Sequence, residues 1–200
     1  MMLAAGMKSR PVYEGLQIDP HARRHLFALQ GDGALAVLDQ SKTVGIEFLA
    51  KAEVLYVADG AATYEAELRQ LNPLDIWIAH STAALLNRLQ GLLLEAKMGL
   101  RLYTSGTEGF IGQAIQVALG CGIDIGSIQT EHRGSAARRV QCVHCKGITE
   151  NVTTSPFSCS HCALPLLVRD HYSRRLAAFQ GVNIDAEDPG SAPPPRVLFP

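Results

Sequence analysis

Hydrophobic and polar positions fall into a regular order between residues 53 and 131. Short runs of β-branched and aromatic residues, EVLYVA at 53–58 and DIWIA at 75–79, read as strands. The stretches between them carry apolar residues every three to four positions, the repeat of a helix with one buried face. That spacing predicts a helix over 61–71, with Tyr64, Leu68 and Leu71 on one side. A second helix is predicted over 82–97. Ser81 can cap it, and Leu85, Leu86, Leu89, Leu92, Leu93 and Ala96 make a wide apolar stripe. Gly99 stands where a helix C-terminus favours positive φ. A third strand follows at 100–104, then a third helix from 107 to about 119 bearing Phe110, Ile111, Ile115 and Leu119, and a fourth strand at 127–131. Such alternation, with right-handed crossovers, gives a Rossmann-like α/β fold: a parallel sheet, here with a four-strand core, flanked by helices. Trp77 reads as core, because strands of such sheets are buried on both faces.

The pattern fades outside this range. Asp19-Pro20 can cap and open a helix through 21–30. A hairpin of 25–30 and 34–39, turning at Gly31-Asp32-Gly33, fits equally well. Residues 132–141 form a polar, basic arm, 170–180 read as a short helix, and 186–200, rich in Pro, Ser and Gly, as a loose tail. The expected organisation is an N-terminal segment over 1–50, an α/β lobe over 51–133, a metal-binding ribbon with a short helix over 134–185, and a flexible tail over 186–200.

The ribbon rests on Cys142-Val143-His144-Cys145 and Cys159-Ser160-His161-Cys162, with thirteen residues between Cys145 and Cys159. A tight C-x-x-C turn projects both sulfurs to one side, so each pair supplies one edge of a tetrahedron. Cys142, Cys145, Cys159 and Cys162 are therefore expected to hold one metal ion, zinc in preference to iron. Four protein ligands leave no position for water or substrate, so the metal is structural. Either histidine could replace a thiolate, but both are expected in the knuckle loops near solvent. The start Met1-Met2-Leu3-Ala4-Ala5-Gly6-Met7-Lys8 lacks the features of a signal peptide, which favours thiolates in a reducing cytosol over disulfides. Cys121, late in the third helix, reads as a small buried residue.

Composition narrows the function classes. An apolar content of 47% supports a real core, and no 18-residue apolar run exists to span a bilayer. The net charge of −1 makes no general case for nucleic acid or membrane. Locally, however, Arg133, Arg138, Arg139, Lys146, Arg169, Arg174 and Arg175 face only Glu150 and Asp170 over 132–175, an excess of +5. A nucleic-acid-binding ribbon and a protein-docking surface both explain that excess. Ser105, Gly106, Thr107 and Glu108 join a strand to a helix and make a weak nucleotide turn; a helix cap explains them too. The chain contains no G-x-G-x-x-G, G-x-x-x-x-G-K-[ST], G-x-S-x-G or H-E-x-x-H. No catalytic centre emerges, which points to a subunit.

Residues 100–131, LRLYTSGTEGFIGQAIQVALGCGIDIGSIQTE, resemble the end of the nucleotide-binding lobe of ferredoxin-reductase-like flavoproteins. Thr104-Ser105-Gly106-Thr107 replaces that family's Cys-Gly-Pro turn, and no Gly-rich phosphate turn follows the strand at 53–58. A more specific resemblance runs through RRVQCVHC, NVTTSP, CSHC and LLVRDHYSRRL, within 134–190: these are similar to the small A subunit of bacterial dimethylamine monooxygenase, the DmmA-like family. The resemblance covers roughly residues 10 to 190. It implies a zinc-containing subunit of a cytoplasmic complex that demethylates dimethylamine to methylamine and formaldehyde with dioxygen and NADPH. Haem, flavin, iron–sulfur cluster and NADPH are then expected on partner subunits, a haem subunit and a flavin/iron–sulfur reductase. This chain would dock and orient them, with Arg138, Arg139, Arg174 and Arg175 as interface candidates and no role for nucleic acid or membrane. A stand-alone NADPH-binding reductase module remains the rival reading of the lobe.

Overall fold

The computed structural model describes residues 9–60 and 63–200. The expectations on the first eight residues, and the start of the helix expected from 61, lie outside them. The chain divides into two compact units, one of Tyr13–Gly134 and one joining described residues 9–12 to Ser135–Pro200.

The first unit is built on a parallel sheet of β1 (Arg24–Gln30), β2 (Ala52–Val57), β3 (Asp75–Ala79), β4 (Leu100–Gly106) and β5 (Ile128–His132). Its order is β3-β2-β1-β4-β5. Helices α1 (Ala34–Val44), α2 (Glu65–Gln70), α3 (Thr82–Leu94) and α4 (Glu108–Gly120) connect the strands. Alternate residues of each strand feed two cores. Leu26, Ala28, Leu55 and Leu102 meet Leu85 and Leu89 of α3 and Ile111 of α4. Phe27, Leu29, Tyr56 and Tyr103 meet Val37 of α1 and Leu68 of α2. Ser81 caps α3 by accepting the Ala84 N–H at 3.2 Å. The parallel α/β sheet is the expected one, with a fifth strand at its centre.

That strand corrects both readings of 21–39. Residues 24–30 are a strand, but the return arm of the expected hairpin is helix α1. β1 pairs on both edges and its five inner residues are all buried, so nothing in it alternates. Ala34, Ala36 and Val37 then bury the inner face of α1. β3 is an edge strand, and Trp77 is half-buried against the core rather than enclosed in it.

The second unit holds β6 (Arg138–Cys142), β7 (Ile148–Val152), β8 (Thr154–Ser155), β9 (Phe157–Ser158), β10 (Pro165–Ser173), β11 (Ala178–Asn183) and β12 (Arg196–Val197). Five of them form a sheet in the order β7-β6-β11-β10-β9. The short helix expected over 170–180 is instead the β10–β11 hairpin. Arg174, Arg175, Leu176 and Ala177 are good helix formers, but pairing of β11 with β6 and the Tyr172–Phe179 ring contact at 5.1 Å override that preference. The segment expected as a loose tail contains β12, paired with β8, and Phe199 packs against the unit's core.

Candidate metal centre and the carboxyl edge of the lobe

The two cysteine turns of the second unit are built alike. In each, the N–H of the first cysteine, Cys142 or Cys159, donates to a carbonyl beyond the turn, Gly147 or Leu164, both at 2.9 Å. In each, the residue after the second cysteine, Lys146 or Ala163, donates its N–H back to the first cysteine's carbonyl, both at 3.0 Å. That closure places Lys146 (φ 64°) and Ala163 (φ 59°) in the left-handed region. The four Sγ atoms come within 4.8 Å of one another. Across the knuckles, Cys142 and Cys162 are 3.8 Å apart and Cys145 and Cys159 3.7 Å. A tetrahedral ion with metal–sulfur bonds of about 2.3 Å has sulfur–sulfur edges of about 3.8 Å, so the donor set fits a four-coordinate thiophilic metal.

The thiols are electrically unequal. Burial pushes the Cys159 thiol up, but the N–H groups of Cys162 and His161 and the thiols of Cys162 and Cys145 outweigh it and hold it at about 6. At Cys162 the Leu164 N–H favours the thiolate, yet burial and competition from Cys159, Cys145 and Cys142 push it up to about 12. Four sulfurs this close do not all ionise without a cation among them, and a divalent ion supplies that charge. His144 and His161 are exposed, as expected. His161 donates Nε2–H to the Ile148 carbonyl at 2.9 Å, and a Cβ at Gly147 would sit 2.4 Å from its ring.

Several arginines of the basic stretch are held inside the fold. Arg138, expected at an interface, is buried: its guanidinium lies 3.9 Å from the Phe179 ring centroid and 4.0 Å from that of Phe199, and it pairs with Asp170 at 3.0 Å. Arg139 pairs with Glu150 and donates to the Leu176 carbonyl, each at 2.8 Å. Arg133 pairs with Glu131 at 2.6 Å and Asp39 at 3.2 Å. Arg174 and Arg175 are exposed on the β10–β11 turn. The hydrogen bond from Arg10, together with that from Arg138, holds the Asp170 carboxyl below its ordinary value.

The turn singled out in the lobe lies where the strand order reverses, between the ends of β1 and β4. In open parallel sheets that is the ligand crevice. Ser105 and Gly106 end β4, Thr107 caps α4 by accepting the Phe110 N–H at 3.4 Å, and Glu108 opens the helix. The strand at 53–58 is the lobe's second. The first is β1, and Gly31-Asp32-Gly33-Ala34-Leu35-Ala36 follows it into α1. That run has the G-x-G-x-x-A form of a dinucleotide fingerprint. The signal was in the sequence, but it has meaning only after a strand, and β1 has no alternation to mark it.

Comparison with known proteins now bears on both sites. Residues 5–128 match the model "Dimethylamine monooxygenase subunit DmmA-like, N-terminal domain", and residues 139–182 match the corresponding C-terminal domain. The chain belongs to the DmmA-like family. Within that family, it is 31% identical over 147 residues to the heme-dependent oxidative N-demethylase delta subunit of Ectopseudomonas mendocina (strain ymp), covering 70% of this chain and 84% of that protein. The C-terminal match encloses the four clustered cysteines of the DmmA-like chain, whereas β12 and Phe199 lie beyond it. Among solved structures, the ferredoxin reductase in carbazole 1,9a-dioxygenase (FAD apo form) aligns with a TM-score of 0.42 and 15% identity, over 55% of this chain and 32% of that one. The flavohem-like FAD/NAD binding domain of nitric oxide dioxygenase from Vibrio cholerae O1 biovar El Tor aligns with a TM-score of 0.44 and 16% identity, over 62% of this chain and 56% of that one. This chain thus spans about a third and about half of those two structures, and likenesses this slight carry no argument. Among the described residues, no helix is long and apolar enough to cross a membrane.

Proposed function

We propose that this chain is a metal-stapled docking subunit of a multicomponent oxidative N-demethylase. Family membership of both its halves carries the subunit reading, together with a relative that is itself a delta subunit of such an enzyme. The reaction served is demethylation of dimethylamine to methylamine and formaldehyde, with dioxygen and NADPH consumed on partner chains. Those chains carry the haem, flavin and iron–sulfur centres, and the assembly is cytoplasmic.

Within this chain, Cys142, Cys145, Cys159 and Cys162 would hold zinc. The ion supplies no substrate chemistry, because four thiolates fill its coordination sphere. It fixes the two knuckles so that the sheet from β6 to β11 keeps its shape. Of the four arginines expected at an interface, Arg174 and Arg175 are the exposed ones, and they would meet an acidic partner surface. Burial of Arg138 and pairing of Arg139 count against a nucleic-acid face on this stretch.

Affinity capture of the tagged full chain from its native cells tests the proposal. Haem absorbance and flavin fluorescence are expected in the eluate, with about one zinc per chain by elemental analysis. Recovery of the chain without any haem or flavin protein removes the subunit reading. Recovery with less than half an equivalent of metal removes the staple.

A further inference from the structure

We infer that this lobe keeps the strand order and the glycine turn of a dinucleotide-binding fold but takes no dinucleotide, because its own residues fill the crevice. In a working site the second glycine of G-x-G-x-x-A lets the pyrophosphate approach the backbone. Here the direction in which Gly33 would carry a Cβ is occupied: such an atom would lie 2.1 Å from the Ser105 carbonyl oxygen and 2.8 Å from the Gly106 nitrogen. The space at Gly31 belongs to Asp59, whose Cβ would be 2.8 Å away, and the space at Gly106 to Gln30, also at 2.8 Å. All three glycines are therefore explained by packing of the chain on itself.

Polar groups close the same gap. Gln30, at the end of β1, accepts from the Thr107 hydroxyl at 2.7 Å and from the Thr107 N–H at 3.3 Å, and so bridges the two strand ends that a ligand would separate. Beyond β5, the Arg133 N–H donates to the Gly106 carbonyl at 2.9 Å. A Cβ on Gly134 would lie 3.9 Å from Asp32, so the chain returns over the start of α1. The electrostatics oppose phosphate as well. Asp32 precedes α1, Glu108 opens α4 and Asp59 follows β2. Arg133, which those contacts bring to this edge, already pairs with Glu131 and Asp39. A pyrophosphate would meet carboxylates where it needs donors. If the lobe belongs to a redox complex, nucleotide and flavin sit wholly on other chains.

Calorimetric titration of the full chain with NADPH, NADH and FAD tests this. No saturable heat is expected up to about 1 mM ligand, the weak limit of ordinary cofactor affinity. Saturable 1:1 binding that Gly33→Ala weakens overturns the inference. The ligand-free Gly33→Ala chain gives a second readout. Packing makes its Tm fall by roughly 10 °C, whereas a glycine kept for phosphate leaves Tm unchanged. Should that variant fail to fold, Gln30→Ala serves instead: loss of the bridge lowers Tm by about 3 °C, and an unchanged Tm counts against it. The outcome is independent of the docking reading, because nucleotide binding by the isolated chain and recovery of haem or flavin partners can each fail alone.

Discussion

Among the described residues, the lobe buries clusters of fourteen and thirteen residues on the two faces of one sheet, whereas the ribbon unit buries a single cluster of eight and gathers four sulfurs beside it. Two of those eight are themselves metal-type cysteines, Cys142 and Cys159. A unit of this size leaves much of its surface exposed and gains little from apolar burial, and a metal held by the four sulfurs would add a cross-link to it. The lobe needs no such device. Side chains on both faces of β1 leave water, and each strand added to the sheet extends both layers. One chain thus contains two solutions to the same entropy cost. One depends on area; the other, on the proposed metal, would depend on a few bonds of high energy at fixed positions.

The largest way to break this comparison is at the metal. Structural zinc contributes roughly 10–16 kcal/mol in small thiolate and histidine sites. Cys142→Ser, or stripping the ion with a chelator, is expected to abolish hydrogen-exchange protection across β6–β11 and leave that of β1–β5 in place. Equal retention of protection in both sheets would show that the ribbon does not depend on its staple. The complementary change is Leu89→Ala, which removes a fully buried side chain of α3. It is expected to cost the lobe about 2–5 kcal/mol in denaturant unfolding, with metal content unchanged.

Arg138 sharpens the contrast inside the ribbon. Its stacking between Phe179 and Phe199 and its pairing with Asp170 are the unit's second anchor. Arg138→Ala is expected to cost about 3 kcal/mol, and Arg138→Lys to restore little of it, because an ammonium cannot stack as a plane between two rings. Chemical denaturation of the metal-loaded variants measures both.

The smallest effect belongs to the lobe and is read through pH. Burial, reinforced by Lys51, holds the His25 imidazole below its ordinary 6.5. The folded state therefore binds a proton less readily than the unfolded state. The contribution of His25 is complete above pH 6.5 and declines as pH falls below it, by less than about 1.4 kcal/mol per pH unit. As the pH is lowered from 7.5 to 5, denaturation midpoints should fall in the wild type and stay flatter in His25→Gln.

The legible parts of the sequence share one property: their signals are local. β3 begins and ends at 75 and 79, as its run of β-branched and aromatic residues implies, and Ser81 caps α3 from the position its type suggests. The four cysteines converge as their spacing requires, because each C-x-x-C turn closes on itself through its own backbone. What was illegible depends on distant partners. β1 is a central strand only because β2 and β4 flank it, and 170–180 becomes a hairpin only because β6 offers an edge to β11. Arg138, drawn as a surface charge in sequence, is buried because two aromatic rings and Asp170 arrive from 32 to 61 residues further along the chain.

Residue type and short spacing suffice for the convergence of the four cysteines, for the α/β alternation and for the family. The meaning of Gly31-Asp32-Gly33 depends on what the fold brings against it. As a string it is a turn, after β1 it becomes a nucleotide fingerprint, and packed against Asp59 and Ser105 it is a filled crevice. The physical reason is that a glycine records only that a Cβ is forbidden. Whether a ligand or the chain itself takes that space depends on backbone that is close in the fold and far in sequence.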